Sequence, residues 1–302
     1  MVYPMPPSMS RRWVPIYMTI YALSASSNYF FVKFGLDYSS PLVYMSVRYL
    51  LAGVVLIMIS MIINGNYHII FNRDVVLLSL FSSIATALWA YGLVYIDPGS
   101  SAIFGYTMPL FAIPLSILLL NEKPSKASTL GTALGLIGVL IYGLSAVSRG
   151  VSLLGSVITV VNALFWALYS IYFRKLSNYN GLIVVSSMFI FGSVVMAIAA
   201  LAMYMYGDRL ALSVDWGFNF MDYLMGTSVI GGSVLFLVWY LMVNSVGVAN
   251  VTAYIFTVPA LTLILNYIIM GIRPTINEVI GALIMFIGIY LASAGTVKGH
   301  GA

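Results

Sequence analysis

The chain has 302 residues, of which 62% are hydrophobic and only 7% charged, and its mean hydropathy is +1.03. A soluble domain carries roughly a quarter charged residues, so this chain lacks the polar surface needed to face water. The net charge of +5 comes without the basic cluster that nucleic acid would require, and the absence of cysteine excludes disulfides and thiolate metal sites.

Taken in order, the chain opens on MVYPMPPSMSRR, which lacks the basic, apolar and small-residue order of a signal peptide and reads as a short lead. Apolar runs then repeatedly reach the roughly 20 residues that a bilayer-spanning helix needs. They predict ten spans, at roughly 14–36, 41–63, 74–95, 100–120, 127–147, 152–173, 181–205, 222–245, 250–270 and 277–296. Short connections rich in Gly, Pro, Asn, Asp and Ser fit turns. The longer segment Gly207–Asp222 has room for a small interfacial helix.

Each span carries a few residues that stand out. In the first, Tyr21, Ser24 and Asn28 share one helical stripe that leads to Lys33. In the second, Arg48 lies about two turns inside Pro41, where an unpaired cation costs several kcal/mol unless it snorkels or pairs. It either holds an anionic group such as a substrate carboxylate, or reaches headgroups or Asp37 and fixes the first hairpin. The third span has Trp89 and, nearer its end, Tyr91. In the fourth, Tyr106 and Thr107 border Pro109, which removes a helix hydrogen bond and permits a bend, for gating or as a static kink.

The sixth span carries Asn162, Trp166 and Tyr169 on one stripe, and the eighth Trp239, Tyr240 and Asn244. In the ninth, Tyr254 and Thr257 border Pro259. Amphipathic aromatics of this kind suit an organic solute with polar and apolar parts. Each of these side chains is also compatible with helix packing or anchoring at the lipid interface. Gly131 and Gly138 in the fifth span, like Gly281 and Gly288 in the tenth, lie on single faces that allow close helix packing.

The chain is duplicated. At a constant offset of 150, Thr107 falls on Thr257, Pro109 on Pro259, Pro124 on Pro274, Gly131 on Gly281, Ile137 on Ile287 and Gly138 on Gly288. Trp89 and Trp239 share that offset. Toward the front of each unit the offset is 141, which places Tyr21 on Asn162, Asn28 on Tyr169 and Lys33 on Arg174. The units are 1–149 and 150–302. Five spans is an odd number, so the second unit is expected to run inverted, as in secondary transporters with substrate sites at the repeat interface.

Basic residues set the orientation. With both termini in the cytoplasm, Arg11, Arg12, Arg73, Lys123, Lys126, Arg174, Lys175 and Lys298 fall inside, against Arg149, Arg209 and Arg273 outside. A multi-pass protein of the cell membrane is expected.

Several of these features together resemble the EamA group of the drug/metabolite transporter superfamily. They are the five-plus-five layout, Asn28…Lys33, Arg48, the Pro109 helix and the hairpin Glu122-x-Pro124…Gly131…Gly138. Aromatic amino acid exporters of the YddG type are similar in architecture. The second copy departs from the pattern, reading Gly271-Ile272-Arg273-Pro274 where the acidic turn would recur. The resemblance implies an all-α membrane transporter of two inverted five-helix repeats, with amino acids as the first substrate class.

The acids offer no mid-span carboxylate: Asp97, Glu122 and Glu278 lie at span ends, the others in loops. Transport without a buried proton-coupling acid is therefore expected. His68 and His300 are too far apart in sequence to make a metal site, and no phosphate loop or catalytic triad is present, so neither an enzyme nor a cofactor is expected. The expected partners are a small-molecule substrate and membrane lipid, with no nucleic acid, and the chain working as a monomer or homodimer. Rival readings are an exchanger of anions such as sugar phosphates or nucleotides, and a non-transporting membrane scaffold.

Overall fold

A computed structural model describes residues 13–64, 67–120, 126–176, 178–246 and 257–297. Among these the regular structure is helical, apart from one isolated antiparallel bridge between Ser39 and Val214. The helices are α1 (Val14–Gly35), α2 (Pro41–Asn64), α3 (Arg73–Tyr95), α4 (Pro98–Gly105), α5 (Met108–Leu120), α6 (Lys126–Ser148) and α7 (Leu153–Lys175). They continue with α8 (Gly181–Met205), α9 (Phe218–Met225), a π-helical segment (Gly226–Val234), α10 (Leu235–Val246), α11 (Thr257–Met270) and α12 (Ile276–Val297). Among the described residues, six stretches are long and apolar enough to cross a membrane by length and composition: Pro41–Ile63, Arg73–Tyr95, Thr129–Ser148, Leu153–Phe173, Gly181–Met205 and Phe218–Trp239.

Local chemistry starts the helices where the sequence puts small polar residues. The Asn72 side chain accepts from the Val75 amide at 2.9 Å and opens α3. Asp97 caps α4 through the Ser100 amide at 2.9 Å, and Asn180 caps α8 through the Leu182 amide at 3.0 Å. Each side chain satisfies an amide that has no partner within its own helix.

The connections gather at two ends of the bundle. At one end Ser40 donates its amide to Ser213 O at 2.9 Å, Asp215 to Tyr38 O at 2.7 Å, and Asn266 Nδ2 reaches Asp97 Oδ1 at 2.6 Å. At the other, Asn72 Nδ2 meets the Tyr179 hydroxyl at 3.4 Å, and the Ile70 amide donates to Ser187 Oγ at 3.1 Å. Large apolar side chains such as Ile62, Leu118, Ile198 and Phe218 face outward, while Ser26, Ser82, Thr86, Ser186, Thr227 and Thr262 are buried. This distribution suits lipid, where association rests on close packing and interhelical polar contacts.

The main helix contacts come in related sets. Helix α6 packs on α12, α2 on α8, and α4 on α11. Helix α3 packs on α7, while α1 packs on the α9–π–α10 column. Exchanging the chain's two halves turns each of these contacts into itself or into its partner.

Glycines set the α6–α12 spacing. A Cβ on Gly138 would meet the Met285 backbone and come within 2.6 Å of Gly281 O. One on Gly288 would lie 2.6 Å from Gly135 Cα and 2.7 Å from Gly131 O. The backbones touch because no side chain intervenes, as the spacing predicted.

The same helix pair is tied at its end by charge. Arg149 Nε meets Glu278 Oε1 at 2.9 Å, and Glu278 is fully buried. Glu278 Oε2 also accepts the Thr275 amide at 2.8 Å while Thr275 Oγ1 accepts the Glu278 amide at 3.2 Å, a reciprocal capping box. A buried acid therefore exists in this chain, but it is spent on starting α12. Arg149→Leu leaves that carboxylate without its cation and is expected to destabilise the fold by about 2 kcal/mol, discounted from a fully buried pair because Arg149 is partly exposed. Thermal unfolding in detergent checks this, and Arg149→Lys is expected to recover most of the loss.

Two expectations about segments need correction. The stretch 207–217 holds turns and the Ser39–Val214 bridge rather than an interfacial helix, and helix begins only at Phe218, where it runs straight into the π segment. Backbone pairing with residues 38–40 and the positive φ of Gly207 (107°) favour this course over a helix. The fourth span is also discontinuous: it breaks at Tyr106–Thr107, between α4 and α5. Thr107 Oγ1 turns back to Phe104 O at 2.6 Å there, and Pro109 supplies no amide to continue the ladder. The turn Asn121–Pro124, with Glu122, lies outside the described residues, as does Tyr254.

Candidate functional site

The site is built around Arg48 on α2, which is buried at 5% exposure. It neither reaches the lipid interface nor pairs with Asp37. Its Nε donates to Thr227 O at 3.4 Å and its Nη2 to Gly231 O at 3.3 Å, both in the π segment. Nη1 lies 3.9 Å from Met45 Sδ. The guanidinium also packs 5.6 Å from the Trp89 ring centroid and 5.7 Å from that of Tyr49. A π helix carries i to i+5 hydrogen bonds and is wider than an α helix, which alters how its carbonyls are presented.

Asn28 on α1 joins this cluster by accepting the Thr227 hydroxyl at 2.6 Å. Gly231 permits the approach, because a Cβ there would collide with Asn28 Oδ1. The stripe residue Ser24 is buried on the same helix. Trp89 on α3 has its ring 5.2 Å from Tyr29, edge to face. Its Nε1–H is buried without a hydrogen-bond acceptor.

Further along the bundle the aromatic residues continue. Tyr21 and Tyr106 pack against the same cluster of Ala22, Ala25 and Val258, and the Tyr21 ring lies 5.6 Å from Trp239. Tyr106 sits at the α4–α5 break, beside the buried Thr107. On α7, Trp166 packs edge to face on Tyr169 at 5.0 Å. Tyr49 is held by Ser82 O at 3.3 Å and by the Thr86 hydroxyl.

Asn162 donates from Nδ2 to Ala85 O at 2.7 Å, tying α7 to α3, and its Oδ1 lies near Gly105. Thr257 is exposed at the start of α11, and Pro259 is buried in that helix's first turn. The Tyr240 and Asn244 side chains lie outside the described set.

Lys33 stands apart from this column. Its Nζ donates to the carbonyls of Leu93 at 2.6 Å, Ile96 at 3.2 Å and Val94 at 3.4 Å, closing the C-terminal end of α3. A cation at that position satisfies carbonyls that have no partner within the helix and complements the helix dipole. Nearby, a cleft of about 530 Å³ is lined by Asp37, Tyr91, Asp208 and Asp215 among others. Tyr91, one of the sequence candidates, therefore borders this end cleft.

The sequence reading missed Tyr29, Tyr49, Thr227 and Gly231. The first two carried no repeat partner or stripe. Thr227 and Gly231 were hidden by the π segment, whose register differs from the 3.6-residue period used to find stripes. The signal present in the sequence was the cluster Gly226…Gly231-Gly232 inside an otherwise apolar span.

Comparisons with known proteins agree with this architecture. The model of the EamA-like transporter family matches residues 12–144 and again 153–294. The chain is 35% identical over 249 residues to an uncharacterized transporter in the sor 3′ region of Acidianus ambivalens, covering 82% of this chain and 92% of that one. It is 24% identical to the uncharacterized transporter YoaV of Bacillus subtilis strain 168, covering 86% and 89%. It is 23% identical to the uncharacterized inner membrane transporter YedA of Escherichia coli K12, covering 85% and 83%. A solved crystal structure superposes with a TM-score of 0.68 at 17% identity over 96% of this chain and 99% of the other, a likeness of fold. Apolar helices, a buried polar interior and a family match across both halves lead to one conclusion: the chain is a multi-pass membrane protein that belongs to the EamA-like transporter family.

Proposed function

We propose that the protein is a secondary transporter of small organic solutes, working by alternating access between two inverted five-helix halves, 1–149 and 150–302. On this reading the helices make ten crossings, with α4–α5 and the α9–π–α10 column each counted as one. Helix contacts that persist when the halves are exchanged support two related halves, and five crossings in each half would invert one against the other. Both termini lie in the cytoplasm by the basic-residue balance, and the protein sits in the cell membrane.

The observation that carries the reading is the column of polar and aromatic side chains running from the buried Arg48, Asn28 and Trp89 to the half-buried Tyr21, Tyr106, Trp239 and Tyr169. It passes the break at Tyr106–Thr107, and irregular backbone at membrane depth is tolerated where protein or a cavity satisfies it. Trp and Tyr faces suit a part-apolar solute, and a single buried arginine matches one carboxylate better than a phosphate dianion. Amino acids and related zwitterions are therefore the first substrate class, with export the favoured direction. The acids Asp97 and Glu278 are engaged in helix caps, which supports transport without a dedicated proton-carrying acid.

A transporter of this kind binds its solute in the folded state and gains stability from it. A panel of amino acids and related metabolites, applied to purified protein, is expected to include members that raise the unfolding temperature with saturation. A panel that never does so would favour the scaffold instead.

A further inference from the structure

We propose that Arg48 and Trp89 form a binding subsite for a single carboxylate, the group that anchors the solute in the transport column. The inference rests on the transporter reading and adds the chemistry of one point within it.

Both groups are donors. Arg48 offers five N–H groups in a planar fork and accepts nothing, and the Trp89 indole donates only. Arg48 is 5% exposed and Trp89 7%, so bulk water reaches neither. The two oxygen contacts of the guanidinium, at 3.3 and 3.4 Å, are longer than the usual 2.7–3.2 Å range, and its third is to a thioether. Trp89 Nε1 has no acceptor. Among the described residues the one ion pair is Arg149–Glu278, at an end of the bundle. A buried positive charge without a counter-charge therefore lies beside an indole ring whose buried N–H has no acceptor.

What this cluster lacks is an anionic acceptor. A neutral amide would meet the hydrogen-bonding need but leave the charge uncompensated, and a cation would be repelled. A carboxylate meets both, since its two oxygens match the guanidinium fork and leave lone pairs for the indole. Asn28 is neutral and cannot balance the charge, and its carbonyl oxygen is turned to the Thr227 hydroxyl. Arg48 also carries two of the links between α2 and the π segment, through Thr227 O and Gly231 O. Anion binding is thereby connected to the column that α1 packs against.

The test uses two probes of one shape, 3-phenylpropionate and 3-phenylpropanamide, titrated into purified full-length protein while its unfolding temperature is followed. The acid is expected to bind about tenfold or more tightly than the amide, the scale of one charge-assisted hydrogen-bonded contact. Trp89→Phe is expected to weaken the acid about fivefold to tenfold and leave the amide unchanged. Arg48→Gln is expected to abolish the preference, while Arg48→Lys, which keeps the charge but not the fork, retains a weakened one.

Equal binding of acid and amide overturns the subsite, as does an undiminished preference in Trp89→Phe or Arg48→Lys. Failure of both probes to bind a wild-type protein that still performs solute counterflow overturns the subsite and leaves the transporter reading standing. Failure of binding together with failure of counterflow for every solute tried removes both.

Discussion

Gly138→Val and Gly288→Val are each expected to leave little monodisperse protein after solubilisation and to lower the unfolding temperature of what remains. The valine Cβ of the first would press on the Met285 backbone and Gly281 O, that of the second on Gly135 Cα and Gly131 O. Overpacking of a core typically costs about 1–3 kcal/mol when side chains can shift aside. Here the obstacles are backbone atoms of two long helices, so the helices themselves must separate and the cost lies at or above the upper end of that range. Gly217→Ala is the control: its nearest neighbour, Asp215 Oδ1, would be 3.5 Å away, and no loss is expected. Equal stability of Gly138→Val and Gly217→Ala would show that α6 and α12 do not pack through these glycines.

Lys33→Met is expected to cost about 3 kcal/mol, because it removes one charged donor from carbonyls at the closed end of α3. The bond to Leu93 O, at 2.6 Å, carries most of that loss, with Ile96 O at 3.2 Å second. Val94 O is exposed and regains water. The methionine fills similar volume, so a cavity does not explain the effect. Lys33→Arg is expected to restore part of the stability. Thermal unfolding of the three proteins decides it, and a Lys33→Met protein as stable as the parent would contradict the capping role. Because Lys33 lies off the aromatic column, substrate preference is expected to stay unchanged in any folded Lys33 variant.

The sequence made the membrane environment and the glycine-mediated packing legible because both follow from composition and spacing alone. The offset of 150 located Gly138, Gly281 and Gly288, and backbone contact at those positions is what glycine permits. That Tyr21, Ser24 and Asn28 share a face of α1 was legible too, since the helix runs unbroken from Val14 to Gly35.

Arg48 was recognisable as an anomaly, but its partners were not. They are main-chain carbonyls of Thr227 and Gly231, and any residue type supplies a carbonyl. The partners of Lys33, also main-chain carbonyls, escaped for the same reason. The π segment escaped because its register shift leaves no period to detect, although three glycines mark it. Glu278 was placed correctly at a span end, yet its complete burial depends on Arg149 arriving from another helix pair's connection, which local sequence does not encode.

The central claim is solute exchange through the inverted halves without a dedicated proton-carrying acid. It is tested most directly by counterflow of a radiolabelled amino acid panel in proteoliposomes, run with and without an imposed pH gradient. Saturable counterflow of at least one part-apolar amino acid is expected, at the same rate in both conditions. Counterflow that stalls without the gradient, or no counterflow for any member of the panel by protein that is folded and correctly inserted, would contradict it.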